Sequence, residues 1–490
     1  HVTGVQTCAL PISIMRANKM TDTAIHKYDV AIFGSGPGGE RAAMQASKLG
    51  KRVVLIEKDS HVGGSSLHTG TIPSKSLRET VVNLSRLKRR VNQGMNISVR
   101  RDITVDELMY RKDFVIQEQE TTIRNHLFAN RIDLVQGTPT FKSPTEIYVE
   151  TPDGEDDITI HAEFTVISTG SRPHRPTAWF PENAENIYDS DSILQVKRLP
   201  HKITIIGSGV IGCEYACIFS RMGIRVNLIS RDRTIMPFVD RELSENFMYR
   251  MRHNRITLRL GEDVKEIVKV DDEHVKVNLA SGKSLSSGAV LIAAGRDSNV
   301  EGLGLGEIGV EQGKRGLICV NDKYQTSVEN IYAVGDVIGF PGLASTAVIQ
   351  ARIAILHAFN QLENEEMPTD LPFGIWTIPS IAMVGANEEE LTDKSIPYEV
   401  GIAHFKEVAR AHIMGGEYGI LKLLFDPETL KLLGVHIIGP HAPQLIHLGQ
   451  SVMYYGGDIK YFVNAVFNYP TLDEAYRIAA FNGMNRLGLL

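Results

Sequence analysis

The chain is poor in the residues that mark several common classes of protein. It has four cysteines among 490 residues, at positions 8, 213, 217 and 319, too few for a disulfide-stabilised secreted scaffold. No apolar run in the sequence approaches the roughly 20 residues of a transmembrane helix. The 52 Lys and Arg residues do not outnumber the 58 Asp and Glu residues, and the net charge is −6, so nothing favours nucleic acid or a membrane as a partner. We therefore expect a cytoplasmic protein, with about three domains for this length.

The first residues lack the features of a targeting signal. The segment HVTGVQTCALPIS, residues 1–13, has neither a basic start nor a sustained apolar core. It resembles a translated sequencing-library adapter. We expect residues 1–26 to be a non-native or disordered leader, the native start to be Met15 or Met20, and Cys8 to have no function.

Two distant segments of the chain follow the same pattern of strand, glycine-rich turn, helix and second strand. The first runs from Tyr28 to Glu57 and the second from Ile203 to Ser230, each with GxGxxG at the first turn. These glycines allow the tight turn, the approach of a pyrophosphate and close helix packing, while the helix N-terminus offers N–H groups to phosphates. Two such units predict two dinucleotide sites. The glycines are Gly34, Gly36 and Gly39 in the first copy and Gly207, Gly209 and Gly212 in the second.

The two copies differ at the end of their second strand. Glu57 ends the first copy, and a carboxylate there accepts hydrogen bonds from a ribose 2′-hydroxyl, as suits FAD. Ser230 ends the second copy and is followed by Arg231 and Arg233. Guanidinium groups match phosphate oxygens, so this site is expected to accept NADP(H) without rejecting NAD(H). Arginines on a solvated loop remain the alternative interpretation.

Glycine-marked turns bracket the second copy. VISTGSRP contains Gly170 and VLIAAGR contains Gly295, and both indicate crossings between a first domain and an inserted one. The later segment NIYAVGD ends in Asp336, before a helical pattern from about Ala344. A carboxylate at the carboxyl end of such a strand is well placed to hold a cofactor hydroxyl. From about Pro372, strand patterns followed by helical segments predict a separate mixed domain.

From Lys27 to its end the chain resembles the two-dinucleotide-fold flavoprotein disulfide reductases, such as dihydrolipoamide dehydrogenase. Most of that family carry two redox cysteines before IPSK, but this chain reads GGSSLHTGTIPSK, with Ser66 and Thr71 at those positions. The family's acid–base His position holds Tyr469, and Glu474 follows five residues later. A hydroxyl cannot form a disulfide, and a tyrosine with an ordinary pKa near 10 is a poor proton shuttle. Disulfide or mercuric reductase activity is therefore not expected.

Within that family, GTIPSK together with FNYPTxxEAYR resembles the soluble, FAD-dependent NAD(P)+ transhydrogenases. That subfamily often keeps a cysteine where this chain has Ser66. The resemblance implies an enzyme that moves hydride from NADPH to NAD+ by a ping-pong route, without a redox-active disulfide. It implies one non-covalent FAD per subunit, with NAD(H) and NADP(H) as substrates. An NAD(P)H oxidase or diaphorase of the same fold is the alternative, and a non-enzymatic, FAD-stabilised assembly protein is a third hypothesis.

The resemblance also predicts the domains and the site. The expected α/β fold has two Rossmann-like domains, for FAD (27–170 and 288–365) and NAD(P) (171–287), and a C-terminal α+β dimerisation domain (366–490) that builds a homodimer or larger homo-oligomer. Lys75 is expected near flavin N5 and paired with Glu214, while Tyr469 and Glu474 would act from the partner chain. No metal site is expected. The expected cofactor-binding residues are Gly34, Gly36, Gly39, Glu57, Gly170, Asp336, Gly207, Gly209, Gly212, Arg231, Arg233 and Gly295.

Overall fold

The computed structural model describes residues 25–92, 104–152, 154, 157–179, 185–363, 365–415 and 418–489. These residues form two compact units. The first contains the described residues up to Ser66, with Gln119–Arg172 and Asp297–Glu366; the second contains Leu67–Glu118, Pro173–Arg296 and the described residues from Met367 onward. The predicted domains are divided by the nucleotide that each would bind, whereas these two units are divided by packing. The predicted domain bounds therefore stay a prediction. Residues 1–24 of the predicted leader, with Cys8, lie outside the described residues, and the first strand begins at His26.

Helices and strands alternate through most of the described chain. The helices are α1 Pro37–Lys48, α2 Gly64–His68, α3 Thr71–Asn92, α4 Val105–Ala129, α5 Val210–Arg221, α6 Arg241–His253, α7 Ala344–Ala358, α8 Glu388–Asp393, α9 Ala409–Met414, α10 Ala442–Tyr454, α11 Lys460–Asn464 and α12 Glu474–Arg486. The strands are β1 His26–Phe33, β2 Val53–Glu57, β3 Asp133–Gln136, β4 Thr138–Ser143, β5 Glu146–Glu150, β6 Ile158–Ile167, β7 Ser171–Pro173, β8 Ile187–Asp189, β9 Lys202–Ile206, β10 Arg225–Ser230, β11 Ile256–Leu260, β12 Val264–Lys269, β13 Val275–Leu279, β14 Ser284–Ser287, β15 Ala289–Ile292, β16 Arg296–Ser298, β17 Ile331–Ala333, β18 Phe373–Ile375, β19 Ser380–Gly385, β20 Glu399–His404, β21 Ile420–Phe425 and β22 Leu432–Gly439.

The first unit is built on a sheet in the order β3-β2-β1-β6-β5-β4, with β17 also paired to β6. Strand β1 runs parallel to both β2 and β6, and β17 is parallel to β6. Residues 30–33 of β1 and 53–56 of β2 are continuous buried apolar runs, as expected where both faces of a parallel sheet are covered. The register pairs Phe33 with Ile56 and with Ile167. The loops that follow β1, β2, β6 and β17 therefore leave the same edge of the sheet.

The second unit contains a parallel sheet in the order β11-β10-β9-β15-β8. It also contains the antiparallel sheet β12-β13-β14 and the C-terminal antiparallel sheet β18-β19-β22-β21-β20. Helix α3 packs in this unit, because Leu77 and Val81 belong to the same buried cluster as Cys213 and Phe219 of α5. This packing aligns the start of α3 with the start of α5.

The C-terminal sheet carries a fully buried lysine, Lys422 on β21. Its Nζ donates hydrogen bonds to Asp240 Oδ2 at 3.0 Å, to Glu242 Oε2 at 3.1 Å and to Glu388. Burial opposes the charge, but the hydrogen bond to Glu388 and the charge of Asp240 raise the pKa of Lys422 above its usual value. Although the three carboxylates lie close enough together to hold a metal ion, the ammonium group of Lys422 bonds to all three of them.

Both predicted βαβ units are present, as β1-α1-β2 and β9-α5-β10. Across the part of the chain that the structure describes, no helix combines the length and the apolar character needed to cross a bilayer.

Candidate active site

The glycines of the first unit shape a cradle at the carboxyl end of β1. Gly34 has φ +92°, and a Cβ built there would lie 2.5 Å from the carbonyl oxygen of Ser168. A Cβ on Gly39 would lie 1.8 Å from the Gly34 oxygen, whereas a Cβ on Gly36 would meet open space. Gly36 is the N-cap of α1, and no side chain caps that helix. Open space above an uncapped helix N-terminus fits a dinucleotide pyrophosphate.

Glu57 is fixed at the neighbouring strand end by the loop serine of the cradle. Its Oε2 accepts hydrogen bonds from Ser35 N at 2.9 Å and Ser35 Oγ at 2.6 Å, while Oε1 accepts from Asp59 N at 3.2 Å. The Ser35 hydroxyl in turn accepts from Gly63 N at 2.9 Å. A carboxylate has about four lone-pair sites, so Glu57 keeps acceptor capacity for ribose hydroxyls.

Asp336 follows β17 at the same edge of the sheet. Its Oδ2 accepts a hydrogen bond from Ser171 Oγ at 2.9 Å, and Gly335 N donates to Gln350 Oε1 at 2.8 Å. Helix α7 then begins at Ala344, again without a side-chain cap. Gly170, with φ +70°, lies between β6 and β7. The residues predicted for FAD in this unit thus lie on loops of one sheet edge, and their chemistry fits that cofactor.

The second unit repeats the cradle at the end of β9. Gly207 has φ +109°, and a Cβ there would lie 2.2 Å from the Ala293 oxygen. A Cβ on Gly212 would lie 1.9 Å from the Gly207 oxygen, and a Cβ on Gly209 would meet nothing within 4 Å. Gly209 is the N-cap of α5, which no side chain caps. Gly295, with φ +109°, follows β15 and its oxygen accepts from His174 N.

Ser230 takes the place in this cradle that Glu57 has in the first. Its hydroxyl accepts a hydrogen bond from Ser208 Oγ at 2.7 Å and from Asp232 N at 3.2 Å. Arg231 and Arg233 are both exposed. The adjacent strand β11 brings a third arginine, Arg259, which is in register with Ile229; its Nε is buried and has no hydrogen-bond partner within the described ranges. The strand end thus carries hydroxyl and guanidinium groups where the first cradle has an acid.

Lys75 and Glu214 form a close ion pair inside the second unit. Lys75 Nζ lies 2.6 Å from Glu214 Oε2, with side chains 24% and 5% exposed. The other oxygen, Oε1, accepts a hydrogen bond from the backbone N–H of Trp376 at 2.8 Å. A buried carboxylate with two such donors is compensated for its loss of hydration. The expected pairing is therefore present, while its role in catalysis stays a prediction.

The positions of the family's redox cysteines carry hydroxyl side chains in this chain, and the described cysteines lie in other segments. Ser66 is in α2 and Thr71 is the first residue of α3. Cys213 and Cys217 are buried on α5, and burial raises the pKa of the Cys217 thiol to about 11 and that of Cys213 well above its usual value. Thiols that stay protonated are poor nucleophiles. Both belong to the core, whereas Cys319, which also lies in the described residues, is exposed.

Tyr469 and Glu474 lie near the start of the last helix. The Tyr469 side chain is 72% exposed, and Glu474 is the first residue of α12. Within the described residues, neither side chain forms a hydrogen bond to Lys75 or Glu214. Within one chain, hydrogen bonds between the described residues therefore do not connect all four predicted catalytic residues. The action of Tyr469 and Glu474 from a partner chain stays a prediction.

Sequence reasoning missed several groups that hold these sites together. Ser35 and Ser208 occupy the same position of the two GxGxxG motifs, so the repeat itself contained a signal for them. The Trp376 N–H that binds Glu214 is 162 residues away. Arg78, which bonds to Thr377 O 299 residues away, carried no local signal at all.

The arrangement of two nucleotide cradles and a separate C-terminal sheet defines a class of oxidoreductases. The chain belongs to the pyridine nucleotide-disulphide oxidoreductase family, whose main domain matches residues 28–351 and whose dimerisation domain matches residues 371–480. Among its relatives are proteins named soluble pyridine nucleotide transhydrogenase. The one from Mycobacterium tuberculosis (strain ATCC 25177 / H37Ra) is 43% identical over 95% of this chain and 99% of its own length, and the one from Pseudomonas aeruginosa (strain LESB58) is 43% identical over 95% and 100%.

Solved structures show the same fold. The Cu(II) complex of the HOCl-induced flavoprotein disulfide reductase RclA from Escherichia coli has a TM-score of 0.85 at 24% identity, covering 93% of this chain and 99% of that one. LpdA from Mycobacterium tuberculosis has a TM-score of 0.85 at 22% identity, with the same coverage. The predicted family and the predicted fold class, two dinucleotide folds with a C-terminal dimerisation domain, are confirmed.

Proposed function

We propose that this chain catalyses NADPH + NAD+ ⇌ NADP+ + NADH by a ping-pong route, with one non-covalent FAD per subunit and no redox-active disulfide. The observation that carries the proposal is an intact Lys75–Glu214 pair in a chain that has Ser66 and Thr71 at the positions of the family's cysteines. The names of its 43% identical relatives support the same activity. FAD, when bound, supplies the chemistry, because it takes hydride from one nicotinamide nucleotide and returns it to another.

The first cradle holds FAD. Gly34, Gly36 and Gly39 let the backbone approach the pyrophosphate, and the start of α1 contributes N–H groups and a partial positive charge. Glu57 accepts hydrogen bonds from the adenosine ribose. Asp336 accepts a hydrogen bond from a hydroxyl group in the part of the cofactor beyond its adenosine.

The second cradle takes both nicotinamide nucleotides in turn. A carboxylate at the end of β10 would repel a 2′-phosphate, but Ser230 is neutral and its hydroxyl is already bonded to Ser208. Arg231 and Arg233 supply the charge that a 2′-phosphate needs, while NAD(H), which lacks that phosphate, meets no repulsion. This tolerance is what a transhydrogenase requires of a single nucleotide site.

Lys75 supplies a fixed positive charge that stabilises the negative charge developed as hydride is accepted. Glu214 holds this lysine in place, because its Oε2 accepts a hydrogen bond from Lys75 Nζ at 2.6 Å. Tyr469 and Glu474 complete the site from a partner chain in a homodimer or larger assembly of the C-terminal domain. We also propose that the enzyme works in the cytoplasm.

Anaerobic titration of the yellow protein with NADPH, followed by NAD+, tests the proposal. We expect one NADPH equivalent per flavin to complete the bleaching, with no long-wavelength thiolate charge-transfer band, and NAD+ to restore the colour with release of NADH. Uptake of four electrons per subunit would exclude the proposed function. Reoxidation faster by oxygen or a quinone than by NAD+ would favour the oxidase or diaphorase, and a flavin that NADPH never bleaches would favour a non-enzymatic role.

A further inference from the structure

Arg78 lies one helical turn beyond Lys75 on α3, and most of its side chain is covered, with 12% of it exposed. Nε and Nη2 donate to the carbonyl oxygen of Thr377 at 3.2 and 3.1 Å, and Nη2 also donates to Ser380 Oγ at 2.7 Å. The same group faces the ring of Trp376, 5.8 Å from its centroid. Arg78 therefore fixes one short segment, residues 376–380, against α3.

That segment also determines the position of Glu214. The Trp376 N–H donates to Glu214 Oε1 at 2.8 Å, while Lys75 occupies Oε2 at 2.6 Å. A carboxylate held at both oxygens has little freedom to rotate. The contacts form a closed path from Lys75 through Glu214, Trp376 and Thr377 to Arg78 and back along α3.

We propose that Arg78 is a positioning residue for the Lys75–Glu214 pair, which it holds in place through the segment 376–380. The inference rests on the proposed function, since it assumes that this pair serves hydride transfer. Arg78 acts through geometry, because its rigid fork bonds to two acceptors at once and a lysine at this position could not reproduce that pattern. When the fork is lost, the segment moves, and the lysine charge moves with the carboxylate.

The structural part of the inference is tested by hydrogen exchange of the FAD-loaded full chain. In Arg78→Met, the Trp376 amide should exchange faster than in the wild type, because its acceptor, Glu214, is no longer held opposite it. Arg86→Met is the matched control, since it removes an exposed arginine from the same helix, and exchange at Trp376 should be unchanged. Unchanged exchange in Arg78→Met would overturn the proposal.

The functional part is tested by a double-mutant cycle in stopped-flow reduction by NADPH. Arg78→Met should keep its FAD and slow flavin reduction by about 10- to 100-fold, the scale of a misplaced catalytic group. The same change in a Lys75→Met background should add little, because both substitutions act on one interaction. Equal fold-losses in the two backgrounds would overturn the positioning role. If Lys75→Met alone reduced at the wild-type rate, the lysine role in the proposed function would fail instead, independently of the exchange result.

Two further variants make the test robust. Arg78→Lys keeps the charge but loses the fork, so it should resemble Arg78→Met; full wild-type behaviour would show that charge alone matters and overturn the proposal. Ser380→Ala removes the 2.7 Å acceptor of Arg78 together with the long 3.4 Å bond from Ser380 Oγ to Thr377 O, and it decides the matter if Arg78→Met does not fold. Faster exchange at Trp376 in Ser380→Ala supports the inference, and unchanged exchange overturns it.

Discussion

Replacing Lys75 by methionine removes one positive charge and nearly preserves the length of the side chain. In the structure this charge lies 2.6 Å from the Glu214 carboxylate, which is only 5% exposed and otherwise bonded to the Trp376 N–H. Methionine can fill the space but cannot donate a hydrogen bond. The substitution therefore tests the electrostatic role of the pair with little change in packing.

The expected loss of rate follows from the electrostatic role of the Lys75 charge. Loss of one preorganised electrostatic stabiliser typically costs about 10²–10³ in rate, so we expect flavin reduction by NADPH to slow by that factor. FAD content should be unchanged, because the residues proposed to hold the cofactor, Gly34, Gly36, Gly39, Glu57 and Asp336, lie in the first unit and do not include Lys75.

The measurement is anaerobic stopped-flow bleaching of the flavin, with FAD content determined beforehand by absorbance. Lys75→Arg, which restores the charge, should recover part of the rate. Ser66→Ala should be nearly silent, because a lone hydroxyl cannot cycle as a disulfide. A wild-type rate in Lys75→Met with a crippled Ser66→Ala would refute the reasoning and require a mechanism based on the hydroxyls of GGSSLHTGT.

Two further outcomes are expected. Arg231→Ala combined with Arg233→Ala should weaken NADP+ binding by about 1–3 kcal/mol, as for lost charge-assisted hydrogen bonds, and NAD+ binding much less; equal weakening in titrations with the two nucleotides would show that these arginines do not contact the 2′-phosphate. Lys422→Met should lower the free energy of unfolding in urea by about 3–5 kcal/mol, because it leaves the buried carboxylate of Asp240 without its ammonium partner, and an equal effect of the exposed control Lys431→Met would contradict this. Because the pKa of Lys422 is raised above its usual value of 10.5 in the folded chain, the loss should be fully present at neutral pH and should shrink only as the pH rises above that usual value, where the wild-type lysine loses its proton.

The sequence was most informative where structure is local. GxGxxG with flanking strands located both cradles, and the strand ends at Glu57 and Ser230 lie where predicted, because each motif is complete within about 30 residues. The C-terminal strand patterns also correspond to observed strands. These features depend on backbone periodicity and turn chemistry, which neighbouring residues determine.

Contacts between distant segments could not be predicted in this way. Strand β21 falls within the region of predicted strand patterns, but nothing in its sequence indicates that Lys422 is buried beside acids 182, 180 and 34 residues away. Arg78 likewise resembled any arginine on the polar face of a helix, and its acceptors at Thr377 and Ser380 follow only from tertiary packing. Charge placement of this kind is decided by the fold as a whole, since a buried ion is tolerated only where its partners converge.

Each cradle has a serine after its first glycine, and this serine can donate a hydrogen bond to either an acid or an alcohol at the strand end. Ser35 donates to Glu57 in one half of the duplicated architecture and Ser208 donates to Ser230 in the other, so the same hydroxyl accommodates either an acid or an alcohol. In a Ser230→Glu variant the new carboxylate would find its hydrogen-bond donor, Ser208, already present, and it would place negative charge at the proposed 2′-phosphate site. A single substitution at this position is therefore expected to change coenzyme preference while the turn, the helix and the sheet stay as they are.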